Sequence, residues 1–347
     1  MINLPSKFKL ISSFLSGSHL YGTATKDSDE DLRGVFIPSK EYFYGMKRTD
    51  QFEDKINDIV YFEIRKFVKL AMACNPNIIE LLFIPEDKWI VSSDEWKRIV
   101  VKRDEFLSTK CKFTFMGYAH SQLNRVKRHR NWLLNPPKER PTREKYGLLE
   151  NKSYISKDQI GAFNIILSMY LRQTGTHHKL RDQLEEMEES VTYLSITQNL
   201  TEIDYKAVQK IYPISDNMLK ALEREKAYIN AMNQWNSYMK WKKGRNPERA
   251  KLENKFGYDT KHASHLYRLI TEGEELLTKG FITFPRPDAK LLLDIRNGIW
   301  SYDQIIEQVS DFEVIFENLY ENSILPKKPK QNEIEKLCIN IVEEYLK

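Results

Sequence analysis

Cysteine is scarce in this chain of 347 residues: Cys74, Cys111 and Cys338 are scattered, with no spacing that pairs them. That argues against a disulfide framework and against a structural zinc site, and it fits a reducing cytosol. Long apolar runs are missing as well. No segment approaches the ~18 uninterrupted apolar residues of a membrane span, and Met1 to Lys7 lack the apolar stretch of a signal peptide. A soluble, cytoplasmic protein is the expectation. No internal repeat and no long low-complexity segment is visible. Excess charge is small, because 54 basic against 49 acidic side chains leave only +5, a weak pointer to a nucleic-acid partner. One local absence says more. Between Lys110 and Lys138 there is no Asp or Glu, while Lys112, Arg125, Lys127, Arg128 and Arg130 all lie there. A second basic run covers Lys240 to Lys251, and an acidic one Glu185 to Glu189. Such alternation can make one face attractive to phosphates, although a solvated helix surface explains any single run equally well.

With 41% hydrophobic and 30% charged residues, the chain has an ordinary soluble balance, and its length suits two medium domains or one core with an appendage. Residues 8–15 read as a short buried strand stopped by Gly17, and Leu32 to Ile37 as a second strand ended by Pro38. Ile56 to Tyr61 read as a third. Phe62 to Cys74 turn helical; Asn75-Pro76 stops that helix and starts the next, Asn77 to Phe83. Trp89 to Val91 add a short strand. From about Glu105 the pattern is helical almost throughout. Phe113 to Leu134 carries a Met116, Ala119, Leu123 and Val126 stripe, and further helices are expected at 158–172, 178–189, 215–243, 260–279, 287–296, 301–320 and 331–346. The fold class expected is α+β: a small mixed β-sheet core with flanking helices over residues 1–105, then a largely α-helical region over 106–347.

The most informative stretch runs from Gly17-Ser18 to Asp29-Glu30-Asp31. A strand enters a Gly-Ser turn, a short helical segment follows, and Asp-x-Asp opens the next strand. Residues two apart on a strand share a face, so Asp29 and Asp31 can grip divalent cations together. Oxygen ligands suit Mg²⁺ or Mn²⁺, which also bind the triphosphate of an NTP. Gly17 lets backbone N–H groups approach phosphate, and the Ser18 hydroxyl can donate to a phosphate oxygen. Such metals orient an incoming hydroxyl and stabilise the leaving pyrophosphate. Asp58, inside the third expected strand, is the candidate third carboxylate, because a charge there needs a reason. Glu53, Asp54 and Glu63 compete for that role, Glu63 more simply as the polar face of the following helix. Ser28-Asp29-Glu30-Asp31 is also good turn chemistry.

The Gly-Ser turn followed by Asp-x-Asp resembles the DNA polymerase beta-type nucleotidyltransferase superfamily. The wider pattern is similar to its RNA-repair-pathway, or RNA-ligase-associated, branch found in bacteria and large phages. The resemblance extends to Arg65-Lys66-Phe67, Asn75-Pro76-Asn77 with Glu80, and Gly117-Tyr118-Ala119 with Gln122 and Arg125. It continues through Gly257-Tyr258-Asp259-Thr260-Lys261-His262-Ala263, His265, Arg268, Arg286-Pro287 and Ile295-Arg296-Asn297-Gly298; residues 140–240 carry little of it. It implies a metal-dependent nucleotidyltransferase in a bacterial cytosol, or a host cytosol if phage-encoded, with residues 1–105 as catalytic core and the helical part contributing to the nucleotide and acceptor cleft.

Tyr258, Lys261, His265 and Arg268 fall at one helical stripe, with Ala263, Leu266 and Ile270 on another that can face the core. His262 lies near the core side. The resemblance favours Lys261, His265 and Arg268 as nucleotide- or phosphate-binding over a merely solvated basic face. Gln122, Arg125 and His129 form a similar stripe, a candidate acceptor-binding set. The aromatics Phe113, Phe115, Tyr118 and Trp132 are more simply core than base-stacking, and His177-His178 read as surface. The expected acceptor is RNA. A protein side chain, a small hydroxylated molecule, or a non-catalytic nucleotide-sensing or RNA-binding module are the alternatives. Neither the NTP nor the oligomeric state is legible.

Overall fold

The computed structural model describes residues 4–26, 28–150 and 215–347. Contacts divide the chain into two units, Met1–Arg130 with Lys251–Lys347, and Asn131–Ala250. The change of periodicity near residue 105 falls inside the first unit. The helices expected at 158–172 and 178–189, the His177-His178 pair and the acidic run at 185–189 lie outside the described residues.

The first unit is built on a five-stranded mixed sheet: β1 (Lys9–Ser16), β2 (Asp31–Ile37), β3 (Gln51–Asp54), β4 (Ile59–Glu63) and β5 (Trp89–Ser92), in the order β3-β4-β2-β1-β5. β1 is antiparallel to both β2 and β5, β2 is parallel to β4, and β3 is antiparallel to β4. Period-two alternation sorts the side chains: Val35 and Ile37 join the main core, whereas Phe36 packs with Ile59 and Tyr61 on the other side.

Helices α1 (Gly17–Tyr21), α2 (Ile64–Met72), α3 (Pro76–Ile79), α4 (Asp94–Val101) and α5 (Cys111–Leu134) follow or interrupt the strands. After them come α6 (Asp216–Lys243), α7 (Pro247–Phe256), α8 (Thr260–Lys279), α9 (Ala289–Arg296), α10 (Tyr302–Glu321) and α11 (Gln331–Leu346). This is the α+β arrangement expected, a mixed sheet and then helices. Side-chain caps fix several starts. Asn75 accepts from the Asn77 N–H ahead of Pro76, Ser93 from Trp96, Asp259 from His262, and Ser301 forms a capping box with Gln304; such caps contribute about 1 kcal/mol each. One contiguous core joins Phe14, Leu20, Phe67, Trp96 and Phe115 to Leu266, Leu269, Ile270, Phe316, Ile334 and Ile341. Each such burial is worth roughly 1.5–3 kcal/mol, so α8, α10 and α11 complete the core that the sheet begins.

Two elements differ from expectation. The third strand is not Ile56–Tyr61 but a hairpin, in which β3 and β4 flank a turn at 55–58. Asp54 accepts from the backbone N–H of Ile56 and Asn57 and from the Asn57 side chain. That Asp/Asn turn chemistry overrides the apparent alternation and leaves Ile56 94% exposed. Secondly, α2 starts at Ile64 rather than Phe62, because Glu63 is its N-cap: it is buried, accepts from the Lys66 N–H and pairs with Arg65.

In the second unit, Trp132 packs edge-on to Tyr238 and against Trp241, and Arg143 makes a two-pronged ion pair with buried Glu225. Trp132 and, in the first unit, Phe115 are therefore core aromatics.

Candidate active site

β1 delivers the chain into the Gly-Ser turn beside the first residue of β2, since Ser16 and Asp31 are register partners. Gly17 has φ +61°, and a Cβ on it would lie 1.7 Å from Asp31 Oδ2. The Asp31 carboxylate occupies the space that only glycine leaves open. Gly17→Ala is expected to push Asp31 aside and to lower catalytic turnover about 100-fold, the usual penalty of a ~1 Å misplacement; kinetics of the purified variant check this.

Asp31 does not stand alone. Its carboxyl hydrogen-bonds to that of Asp58; partial burial, this bond and the neighbouring charge raise its pKa to about 6. Asp58 is held below the usual carboxylate range, first by that bond from Asp31 and then by Arg33 and Lys261. Asp58 sits in the tight turn before β4, in the left-handed region at φ 47°. Its carbonyl accepts from the Leu32 N–H and from Arg33, and the Arg33 guanidinium also grips its carboxylate at 2.9 Å. Lys261, exposed in the first turn of α8, adds a favourable charge to both aspartates. Two carboxylates close enough to share a proton suit a divalent cation, which would replace that proton. Mn²⁺ affinity is accordingly expected to fall about tenfold per pH unit below ~6 and to level off above it. A metal titration between pH 5 and 8 measures the break.

The structure gathers Gly17, Asp31, Asp58 and Lys261. Asp29 is exposed, in the approach to β2 and not within it, and Ser18 is half-buried in α1. The stripe on α8 passes from solvent into the core instead of facing a ligand throughout. Tyr258 precedes the helix, is buried, and donates to the Trp300 carbonyl. His265 is driven down to about 2 by burial and by Arg268, His262, Arg125 and Lys261, so it is a neutral imidazole. Its Nε2 is buried without a hydrogen-bond partner among the described residues. Arg268 lies inside the protein, paired with Glu272 at 2.9 Å and Glu80 at 3.0 Å and stacked 3.9 Å over the Tyr21 ring. On α5 the second stripe also divides: Arg125 is exposed, whereas Gln122 and His129 are buried. The basic segment is partly structural too, because Lys112 pairs with Glu317 and Arg130 donates to the Gly257 carbonyl and covers Tyr302.

Sequence reading missed Arg33 as the residue that positions Asp58. The signal was present, since Asp31 and Arg33 are two apart on one strand face. It also missed Tyr21 and Glu80, which tie α1 to α8: the Tyr21 hydroxyl donates to Glu80 beneath the Arg268 guanidinium. No local spacing announces that contact.

Residues 2–143, which hold the Gly-Ser turn, Asp31 and Asp58, match the RlaP family, the RNA repair pathway DNA polymerase beta family. Over these residues, about two fifths of its length, the chain is similar to that family. Similarity to one curated protein extends past the RlaP segment. An uncharacterized 38.9 kDa protein of Enterobacteria phage T4, from the nrdC-mobD intergenic region, is 23% identical over 85% of this chain and 84% of its own length. The uncharacterized protein YcgL of Bacillus subtilis is 32% identical over 21% of this chain and 30% of its own. No solved structure matches. Among the described residues no helix is long and apolar enough to cross a membrane.

Proposed function

We propose that the protein is a metal-dependent nucleotidyltransferase that transfers a nucleotidyl group from an NTP to an acceptor hydroxyl, with RNA as the preferred acceptor in repair or end modification. The observation that carries this reading is the Asp31 carboxylate seated on Gly17 and hydrogen-bonded to Asp58, inside a segment that matches the RlaP family. Asp31 and Asp58, with Asp29 from the approach to β2, would hold Mg²⁺ or Mn²⁺, which when bound supplies charge neutralisation at the reacting phosphate.

The chain's own groups do the rest. The Gly17 and Ser18 backbone and the Ser18 hydroxyl bind phosphate oxygens. Lys261 draws the triphosphate toward the carboxylates by charge. Asp58, largely exposed and held by Arg33, accepts the proton of the acceptor hydroxyl at its carboxylate. Neutral His265 offers a ring nitrogen to a ribose or base hydrogen-bond donor, and Arg268 acts from behind, fixing α8 against α1. On α5, exposed Arg125 and Lys127 present cations to an RNA backbone, while buried Gln122 and His129 keep that helix in place. In this division residues 1–105 carry the phosphate chemistry and residues 106–347 the acceptor side and part of the nucleotide wall.

A screen of the four labelled NTPs against separate pools of total RNA and total protein tests the acceptor. Label is expected in the RNA pool and to depend on Mg²⁺ or Mn²⁺. Label confined to the protein pool would move the acceptor to a side chain. No label in either pool, with nucleotide still bound after metal removal, would favour a non-catalytic module.

A further inference from the structure

Outside this site, three metal-ligating side chains converge where α5 meets the start of α8. His129 Nδ1 lies 2.8 Å from Asp259 Oδ2, and His262 Nε2 lies 3.7 Å from the same oxygen. The three donor atoms all fall within 4.8 Å of one another. Asp259 is fully buried, and the His129 and His262 side chains are only 11% and 16% exposed. The other Asp259 oxygen is occupied as the α8 N-cap, accepting from the His262 N–H at 3.1 Å. That bond fixes the carboxylate orientation, in the manner of an outer-shell partner.

We infer that His129, Asp259 and His262 form a second metal site, distinct from the aspartate pair, for a borderline divalent ion such as Zn²⁺. In tetrahedral zinc sites the bonds are about 2.0–2.1 Å, which places donor atoms roughly 3.3 Å apart. The two separations from Asp259, 2.8 and 3.7 Å, bracket that value, and the two imidazole donors lie within 4.8 Å of each other, so side-chain rotations would close the set. Two imidazoles and one carboxylate select Zn²⁺ or Co²⁺ over Mg²⁺, whose preference is for oxygen. A cation here offsets a buried carboxylate and staples α5 to α8 one residue from Lys261.

The test uses the full chain carrying Asp31→Asn and Asp58→Asn, so that the aspartate pair does not compete, stripped with a chelator and titrated with Co²⁺. One equivalent is expected to bind with visible ligand-field absorption, displaced by Zn²⁺ and not by excess Mg²⁺. Adding His129→Gln or His262→Gln is expected to weaken binding by about 100-fold or more. If the His129→Gln chain fails to fold by circular dichroism, the more exposed His262→Gln decides. Absence of stoichiometric Co²⁺ binding, or binding unchanged by His262→Gln in a folded chain, overturns the site and leaves a hydrogen-bonded helix cap.

Discussion

Asp31→Asn is expected to abolish nucleotidyl transfer, by about 10³-fold or more, while the folded protein becomes slightly more stable at pH 8. On the proposed function, the loss follows from removing a carboxylate that would hold the metal, at the point where Gly17 and Asp58 converge on it. The gain follows from the pKa. Asp31 is raised from its ordinary value to about 6, so the native state holds this proton more tightly than the unfolded chain does. Its contribution to stability is therefore complete below pH ~4 and is lost as pH rises through ~6. Above that, two ionised carboxylates face each other, and asparagine relieves the repulsion. Because the site is about half open to solvent, the gain is on the order of 1 kcal/mol. Transfer assays and denaturant melts on the same preparation check both signs. A merely structural aspartate would lose stability together with activity.

Arg268→Ala has the largest expected effect on stability. It strips the guanidinium from buried Glu272 and Glu80 and from the face of Tyr21. Burial already raises Glu272 to about 7 despite that guanidinium. Removing one partner of a buried ion pair typically costs ~3–5 kcal/mol, because the remaining charge is left uncompensated in the interior. Urea unfolding is expected to show a loss of that size, with Glu272→Gln in the same chain recovering part of it. Transfer should fall too, since the same contact holds α8, and so Lys261, in place. An Arg268→Ala protein of wild-type stability would mean that the carboxylates are not buried as described.

The sequence made β1, β2 and the Gly-Ser turn legible because apolar run, glycine and Asp-x-Asp follow each other within one short segment. Asp58 meets Asp31, but from a turn and not from inside a strand. The turn at 55–58 is ruled by hydrogen bonds from Asp54, which hydrophobic periodicity does not sense. The α8 wheel showed a basic and an apolar stripe without revealing how wide the buried face is. Arg268 falls inside it because Glu80, 188 residues away, supplies a charge that no local pattern announces. The polar stripe on α5 failed likewise, with Gln122 and His129 turned inward and Arg125 outward. Several of the singled-out residues are thereby explained as architecture: Asn75 and Asp259 cap helices, Glu80 and Arg268 neutralise each other, and buried Arg286 pairs with Glu275.

Parallel reactions with α- and γ-labelled NTP distinguish nucleotidyl transfer at Asp31 and Asp58 from transfer of the γ-phosphoryl group. The expected result is α-label on the acceptor with labelled pyrophosphate released from the γ-labelled substrate, both lost in Asp31→Asn. Transfer of γ-label to the acceptor, or undiminished α-label in the folded Asp31→Asn protein, would contradict it.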